Sequence, residues 1–293
     1  MPELPEVETI RRQLAPAVEG TVLERLDVLD ARWVEPAAPA EVSDAVRGRR
    51  VERLSRRGKF LVWELEDEVY LLMHLRMTGN LFVVPAEEDT DERPHLRTRL
   101  VLDSGRRVLF VDVRRFGTGV VLLGYDALEE YFSSRLGVEP LSPEFTADAL
   151  RALAAGRKAP VKAFLLSQER IAGVGNIYAD EALWRAKIHP LKPVGTLKRA
   201  QIEALRDAVV EALNAGIDAR GASIDDFRHV DGASGSFQDR FKVYGRAGEP
   251  CYRCGTTIEK IRVAGRGTYF CPHDQPKPRV RRTAPVQQLS RSR

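Results

Sequence analysis

Cysteine is scarce in this chain, and the three present, Cys251, Cys254 and Cys271, fall within one short stretch of the 293 residues. In a reducing compartment so few thiols do not build a disulfide framework, and their clustering points to a metal. No apolar run reaches the ~18 residues of a membrane span, and no secretory apolar region follows Met1, so a cytosolic protein is expected. An internal repeat is missing too, as are a dinucleotide-binding G-x-G-x-x-G and a phosphate loop ending in G-K-[ST]. Nor does the body of the chain carry excess positive charge. The formal net charge is +4, but Lys277, Arg279, Arg281, Arg282, Arg291 and Arg293 put +6 on an acid-free tail, which leaves residues 1–276 at −2. An argument for a nucleic-acid partner must therefore rest on local basic clusters. The tail, rich in Pro, Gln, Ser and Arg, is expected to be disordered and to add at most a non-specific phosphate contact.

What is present suffices for a core: 43% of residues are hydrophobic, and the length suggests two domains. From Thr21 to Leu123 short alternating runs predict strands at 21–28, 50–54, 60–65, 69–75, 80–84, 98–102, 108–113 and 119–123, the signature of a sandwich or barrel. Past Pro140-Leu141-Ser142-Pro143 the pattern turns helical, at 147–155, 160–167, 176–186 and 198–215. The last of these carries Ile202, Leu205, Val209 and Leu213 on one stripe behind a Thr196 cap. From Gly235 strand and turn signals return.

The opening, Met1-Pro2-Glu3-Leu4-Pro5-Glu6-Val7-Glu8-Thr9, places reactive chemistry at a terminus. Removal of Met1 would leave Pro2 as a secondary amine with a pKa of about 7.7 to 8.0, partly neutral and able to attack an aldehydic carbon. Glu3 and Glu6 stand beside it as proton donor and orienting carboxylate. Val7, Ile10, Leu14 and Val18 give the following helix a buried stripe, with Glu8 and Arg12 paired on the wet side. By themselves these residues read equally well as an ordinary capped helix.

Five further stretches carry chemistry. Ser55-Arg56-Arg57-Gly58-Lys59-Phe60 exposes Lys59 at a turn, and His74-Leu75-Arg76-Met77-Thr78-Gly79 puts an apolar Met77 before a glycine. Asp112-Val113-Arg114-Arg115-Phe116-Gly117 follows an arginine-rich segment that contains His95. Ala172-Gly173-Val174-Gly175-Asn176-Ile177-Tyr178-Ala179-Asp180-Glu181 places two glycines before a helix N-terminus, a ready-made phosphate site. Lys242-Val243-Tyr244-Gly245-Arg246 leads into Cys251-x-x-Cys254 and Cys271-Pro272-His273-Asp274, with Ala264-Gly265-Arg266-Gly267 as a hairpin tip between them. Three thiolates need a fourth zinc ligand, which either His273 or Asp274 can supply.

Together, from Pro2 to about Gln275, these stretches resemble the formamidopyrimidine-DNA glycosylase family of base-excision repair enzymes. The resemblance implies an α+β multidomain fold. Residues 1–135 would be an N-terminal catalytic β-sandwich flanked by helices and 136–150 a hinge. Residues 151–234 would form a helix-two-turns-helix DNA-binding domain, 235–276 a zinc-finger β-hairpin and 277–293 the tail. It implies Pro2 as the nucleophile that forms a Schiff base with C1′, Glu3 as general acid/base, Lys59 as the second catalytic group, and Arg266 on the lesion phosphates and in δ-elimination. Met77, Arg114 and Phe116 would intercalate into the duplex. His95, Lys162, Asn176 and Tyr244, with Arg246 as a weaker candidate, would contact DNA, and a loop at 223–238 would set lesion preference. The family closes its knuckle with a fourth cysteine where this chain has Asp274.

The expected function is a DNA glycosylase and abasic-site lyase for oxidised purines, acting as a monomer on damaged duplex DNA with one structural zinc and no small-molecule cofactor. The alternatives are an endonuclease VIII-like enzyme for oxidised pyrimidines and a catalytically inactive DNA-binding protein.

Overall fold

The computed structural model describes residues 2–88, 93–224 and 228–278. The chain opens with helix α1 (Leu4–Val18), whose Val7, Ile10, Leu14 and Val18 recur every three or four residues and are fully buried. Strand β1 (Val22–Val28), helix α2 (Pro39–Val46) and strands β2 (Arg49–Arg57), β3 (Phe60–Leu65), β4 (Val69–His74), β5 (Gly79–Val84), β6 (Leu96–Leu102), β7 (Arg107–Asp112) and β8 (Thr118–Leu123) follow. These eight strands pair antiparallel in the order β5-β7-β6-β1-β2-β3-β4-β8.

The β1–β2 link is only two residue pairs long, Val22 with Arg50 and Leu23 with Arg49, so the sheet divides there into halves. Leu26, Leu81 and Leu100 of one half share a core with Leu54, Trp63 and Leu71 of the other, which makes the arrangement a sandwich. Strand β3 is buried on both faces, which explains its unbroken apolar run. Leu61 and Trp63 face the sandwich interior, while Phe60 and Val62 pack against Leu128 and Phe132 of helix α3 (Tyr125–Ser133). Helices α2 and α3 had no clear signal in the sequence. Each is short, lacks a side-chain N-cap bond and buries only two residues, Val42 and Val46 or Leu128 and Phe132.

The second half contains α4 (Ala147–Ala154), α5 (Val161–Leu166), α6 (Asn176–Arg185) and α7 (Arg199–Asp218), then a hairpin of β9 (Glu259–Val263) and β10 (Arg266–Phe270). The α7 stripe of Ile202, Leu205, Val209 and Leu213 packs with Phe164 and Tyr178 into a second core. Thr196 does not cap α7. Its hydroxyl donates to the Pro193 carbonyl at 2.7 Å inside a short 3-10 turn, and Lys198 is the N-cap, its N–H held at 3.2 Å by the side chain of Gln201.

Glu8 is also not on the wet side of α1. It is buried and accepts Arg11 and Arg12 at 2.8 Å and Arg56 at 3.3 Å, and Arg56 continues to Glu139 at 3.2 Å. Burial alone would raise its pKa, but the hydrogen bonds from Arg11 and Arg12 and the charges of Arg11 and Arg56 outweigh it and hold the carboxyl down at about 2. A depressed carboxylate stabilises the fold above its unfolded pKa and ceases to do so as it protonates. Stability is therefore expected to fall between pH 4.5 and about 2, and Glu8→Gln should flatten that part of the profile in urea titrations. An unchanged acid limb in the variant would remove Glu8 from the account.

Candidate active site and metal centre

Glu3 is the N-cap of α1, yet its carboxylate does not serve that helix. It accepts the N–H groups of Ile177 at 3.0 Å and Tyr178 at 3.4 Å, two of the free amides in the first turn of α6. A helix N-terminus favours an anion there. The sequence suggested that Gly173 and Gly175 kept these amides open for phosphate, and the structure corrects this: Glu3 already occupies them. The glycines serve the approach instead. A Cβ on Gly175 would stand 2.2 Å from the Glu3 carboxyl carbon, and one on Gly173, at φ +82°, would stand 2.6 Å from Leu4. The Gly173 carbonyl accepts the Leu4 N–H at 3.1 Å. Pro2, next to Glu3, is likewise buried.

Glu6 completes this layer. One of its oxygens accepts the Glu3 N–H at 2.8 Å, and the other accepts the Tyr178 hydroxyl at 2.7 Å and the Ala222 N–H at 2.8 Å. Burial and the nearby Glu3 push its pKa up, while the three donors pull the other way. The terminus is thus fixed against the helical half by both carboxylates.

Above Gly175 lies a cleft of about 150 Å³ whose lining includes Lys59, His74, Arg76, Gln168, Asn176 and Arg266. Lys59 follows Gly58, which sits at φ +57° at the β2–β3 turn, and its side chain is buried rather than exposed. Burial lowers its pKa, Glu3 and Glu6 raise it and Arg266 lowers it further; the sum is downward, toward a group that exchanges protons. Burial, with Arg76 and Lys59 close by, pushes His74 down to about 3, so its imidazole is neutral. Its Nδ1 accepts the Arg76 N–H at 3.0 Å. His74, Arg76 and Gln168 were not singled out in the sequence as site residues. The first two stand beside Met77 in a stretch that was, whereas nothing local marks Gln168.

Arg266 enters from the hairpin. Ala264 and Gly265 both have positive φ, +48° and +76°, as a two-residue type I′ turn demands, and this leaves Arg266 exposed directly after the turn. The carbonyl of Gly267 accepts Asn176 Nδ2 at 3.1 Å and Lys162 Nζ at 3.0 Å. Lys162 is fully buried and also bonds Thr268 at 2.8 Å and Asp180 at 2.7 Å. It therefore anchors the hairpin and has no surface with which to touch DNA directly, contrary to the sequence expectation. Arg246 is spent similarly, on Glu249, the carbonyls of Lys242 and Pro250, and the ring of Tyr252. Tyr244 is half-buried, its ring against Phe241 and Tyr269 and its hydroxyl 3.5 Å from Asn176 Nδ2.

The remaining expected DNA contacts cluster at one end of the sandwich. In the β5–β7 pair Gly79 lies opposite Asp112, so Met77 and Thr78 before β5 and Val113 to Phe116 after β7 leave the sheet together. Buried Asp112 ties the two turns: it accepts the Thr78 hydroxyl, the Arg114 N–H at 3.2 Å and the Gly117 N–H at 2.7 Å. Met77 is 37% and Phe116 48% exposed, and the Arg114 guanidinium lies 4.7 Å above the Phe116 ring. His95, exposed and at φ +62°, offers its carbonyl to the Asp112 N–H at 3.0 Å. Of the loop at 223–238, residues 225–227 lie outside the described residues.

Cys251, Cys254, Cys271 and Asp274 present ligand atoms that all lie within 4.8 Å of one another. Tetrahedral zinc with ~2.3 Å bonds to sulfur needs donors about 3.8 Å apart, and the Cys254–Cys271 and Cys251–Asp274 pairs stand at 3.5 and 3.7 Å. The donor set fits one structural zinc, with Asp274 as fourth ligand. His273 is outside it, its side chain 69% exposed and its ring meeting the far oxygen of Asp274 at 3.4 Å. The indole N–H of Trp184 donates to Cys251 at 3.4 Å and the N–H of Asp274 to Cys271 at 3.4 Å, as thiolates favour. Elemental analysis should find about one zinc per wild-type or His273→Ala chain and little in Asp274→Ala. Equal loss in both variants would undo this assignment.

Three family models match in sequence order. They are described as the formamidopyrimidine-DNA glycosylase N-terminal domain (residues 1–119), the formamidopyrimidine-DNA glycosylase H2TH domain (136–228) and a zinc finger found in FPG and IleRS (248–277). The formamidopyrimidine-DNA glycosylase of Chloroflexus aurantiacus is 47% identical over 272 residues, covering 93% of this chain and 96% of the relative. That of Heliobacterium modesticaldum is 41% identical over 94% of this chain and 100% of the relative. Among solved structures, a Lactococcus lactis FPG mutant in complex with Fapy-dG DNA superposes with a TM-score of 0.87 at 35% identity, covering 94% of this chain and 100% of that one. A second L. lactis Fpg structure, with abasic-site DNA, gives 0.86 over the same shares. With matched models over most of its length and relatives this similar, the chain belongs to the formamidopyrimidine-DNA glycosylase family.

Proposed function

We propose that the chain is a bifunctional DNA glycosylase and abasic-site lyase of base excision repair that removes oxidised purines such as 8-oxoguanine and formamidopyrimidines. One observation carries the reading: Lys59 and Arg266 line a single cleft whose floor, Gly175, rests on the Glu3 carboxylate beside Pro2. The Fapy-dG and abasic-site DNA bound by the L. lactis relatives support the substrate class. After removal of Met1, the neutral Pro2 amine attacks C1′ of the lesion nucleotide and the base departs with its electron pair. Glu3 handles the proton that opens the sugar. The resulting iminium makes the C2′ proton acidic, and its loss expels the 3′-phosphate; loss of the C4′ proton along the conjugated iminium then expels the 5′-phosphate, leaving a one-nucleotide gap. Lys59, its pKa lowered chiefly by burial, suits proton transfer, and exposed Arg266 suits the lesion phosphates. Met77, Arg114 and Phe116 fill the duplex where the base has left, with His95, Asn176 and Tyr244 nearby on the backbone.

The division of labour follows the five segments read from the sequence. The part up to residue 135 brings the nucleophile and the wedges, 136–150 is a hinge, 151–234 brings Asn176 to the DNA backbone, 235–276 carries Arg266 on its zinc hairpin, and the basic tail at 277–293 adds non-specific attraction. The protein works as a monomer in the cytoplasm, close to the nucleoid, since one lesion requires no symmetry. Another L. lactis structure holds DNA with an oxidised pyrimidine, so thymine glycol belongs in the substrate panel.

Borohydride should trap the mature protein on abasic-site DNA. Pro2→Gly should retain part of the trapping through a weaker primary amine, and a chain that keeps Met1 should lose it. Glu3→Gln should stop excision of 8-oxoguanine yet leave some strand cleavage at a preformed abasic site, where the glycosidic bond is already broken. Full activity with Met1 shown by mass spectrometry to be in place would overturn the mechanism. Met77→Ala and Phe116→Ala should each slow excision from intact duplex by about tenfold, since unstacking costs a few kcal/mol, while altering cleavage of abasic DNA far less. Equal effects on both substrates would take these side chains out of the duplex.

A further inference from the structure

Asn80 joins parts of the protein that the catalytic reading leaves separate. It lies on β5 immediately after Gly79 and is 6% exposed. Its Oδ1 accepts the backbone N–H of Arg228 at 2.7 Å, and its Nδ2 donates to the carbonyl of Thr78 at 3.1 Å. Thr78 is the neighbour of Met77, whereas Arg228 belongs to the segment that follows α7. Two residues on, Val230 sits in the sandwich core, its carbonyl accepting the Val83 N–H at 3.3 Å and its own N–H reaching Gln13 at 3.4 Å. His229 between them is buried, with Nε2 2.8 Å from the carbonyl of Arg220 at the end of α7. Residues 228–230 thus form a strap from the helical half, clamped to the strand that bears the Met77 turn. On the near side of the same crossing, the Ala222 N–H is held by Glu6.

We propose that Asn80 is a positioning residue that ties the Met77 turn to the strap at 228–230, so that insertion of Met77 into a duplex and seating of the strap on β5 are coupled. A buried carboxamide is suited to this because it gives a donor to one backbone and an acceptor to the other at once. A hydrophobic replacement takes this partner from both backbone groups, and a singly functional one takes it from one of them. The consequence for catalysis rests on the function proposed above; the tie itself does not.

Two variants separate the parts. Asn80→Leu removes both bonds, while Asn80→Asp keeps an acceptor for Arg228 and loses the donor to Thr78. Hydrogen exchange of the DNA-free full chain should show amides 228–230 of Asn80→Leu opening about tenfold more readily, the scale of one net hydrogen bond. In Asn80→Asp they should stay within about twofold of wild type. In single-turnover assays both variants should excise 8-oxoguanine from duplex about tenfold more slowly, yet cleave a preformed abasic site within about twofold of wild type. Unchanged exchange at 228–230 in Asn80→Leu would overturn the tie. Equal slowing on both substrates in Asn80→Asp would reduce Asn80 to a structural residue. If Asn80→Leu loosens the whole sandwich, Asn80→Asp decides alone. A wild type that processes neither substrate would remove the function reading, while the exchange result would still support or overturn the strap.

Discussion

The arrangement depends on the Glu3 carboxylate seated on the N-terminus of α6. A buried anion is expensive unless several donors face it, and here two backbone amides and a helix dipole do so. The contact joins residues 174 positions apart, so it holds the first turn of α1 against the helical half and fixes the chain terminus at the cleft. A terminus that would otherwise fray acquires a defined position, which the nucleophile proposed there requires. Gly175 makes the approach feasible, because any Cβ would collide with the carboxylate. Tyr178, in the first turn of α6, reaches Glu6 across a close contact with Gly216 of α7, where a Cβ would stand 2.4 Å from the ring.

The hairpin is held by the same kind of interaction. Lys162, Asp180 and Glu181 are all fully buried. Glu181 accepts the N–H groups of Lys242 at 2.9 Å, Val243 at 2.9 Å and Tyr244 at 3.1 Å, and Asp180 accepts that of Tyr269 at 2.9 Å. Burial pushes Asp180 up and Lys162 down in pKa, which reflects the desolvation both groups endure. Desolvation of such charges costs several kcal/mol per ion, so their value lies in geometry more than in net stability. They fix the register between α6 and the two-stranded hairpin, and with it the position of Arg266 over the cleft. The zinc knuckle secures the other end, where Arg253 lies over the Trp184 ring at 3.9 Å and reaches Asp274 at 3.3 Å.

Beside the cleft, in the turns that precede β5 and follow β7, Asp112 has the equivalent task. One buried carboxylate gathers donors from two turns and so brings Met77, Arg114 and Phe116 to one edge. Three acidic side chains with no place in the covalent chemistry, Asp112, Asp180 and Glu181, thus position Arg266 and the three side chains proposed to enter the duplex. Each is unremarkable in the sequence, since an acid after a strand or inside a helix is usually solvated.

The sequence by itself determined most of the elements and the candidate residues they carry. Periodicity located the eight strands and five of the helices to within a few residues, because alternation and the 3.6-residue stripe are local properties. It also marked Pro2, Glu3 and the cysteines, whose residue types and neighbours signal reactivity or metal binding without reference to the fold, whereas the roles expected of Lys59 and Arg266 came from the family resemblance. It could not say where the side chains go. Lys162 and a basic groove residue look alike until Asp180, Gly267 and Thr268 close around the ammonium, and two glycines before a helix look like a phosphate site until Glu3 fills it. His273 and Asp274 were equally eligible as zinc ligands until the knuckle backbone turned one inward and left the other in solvent. In each case the deciding partner lies far away in the chain or on the other side of a turn, so burial and pairing, which choose between identical residue types, exist only once the chain has folded.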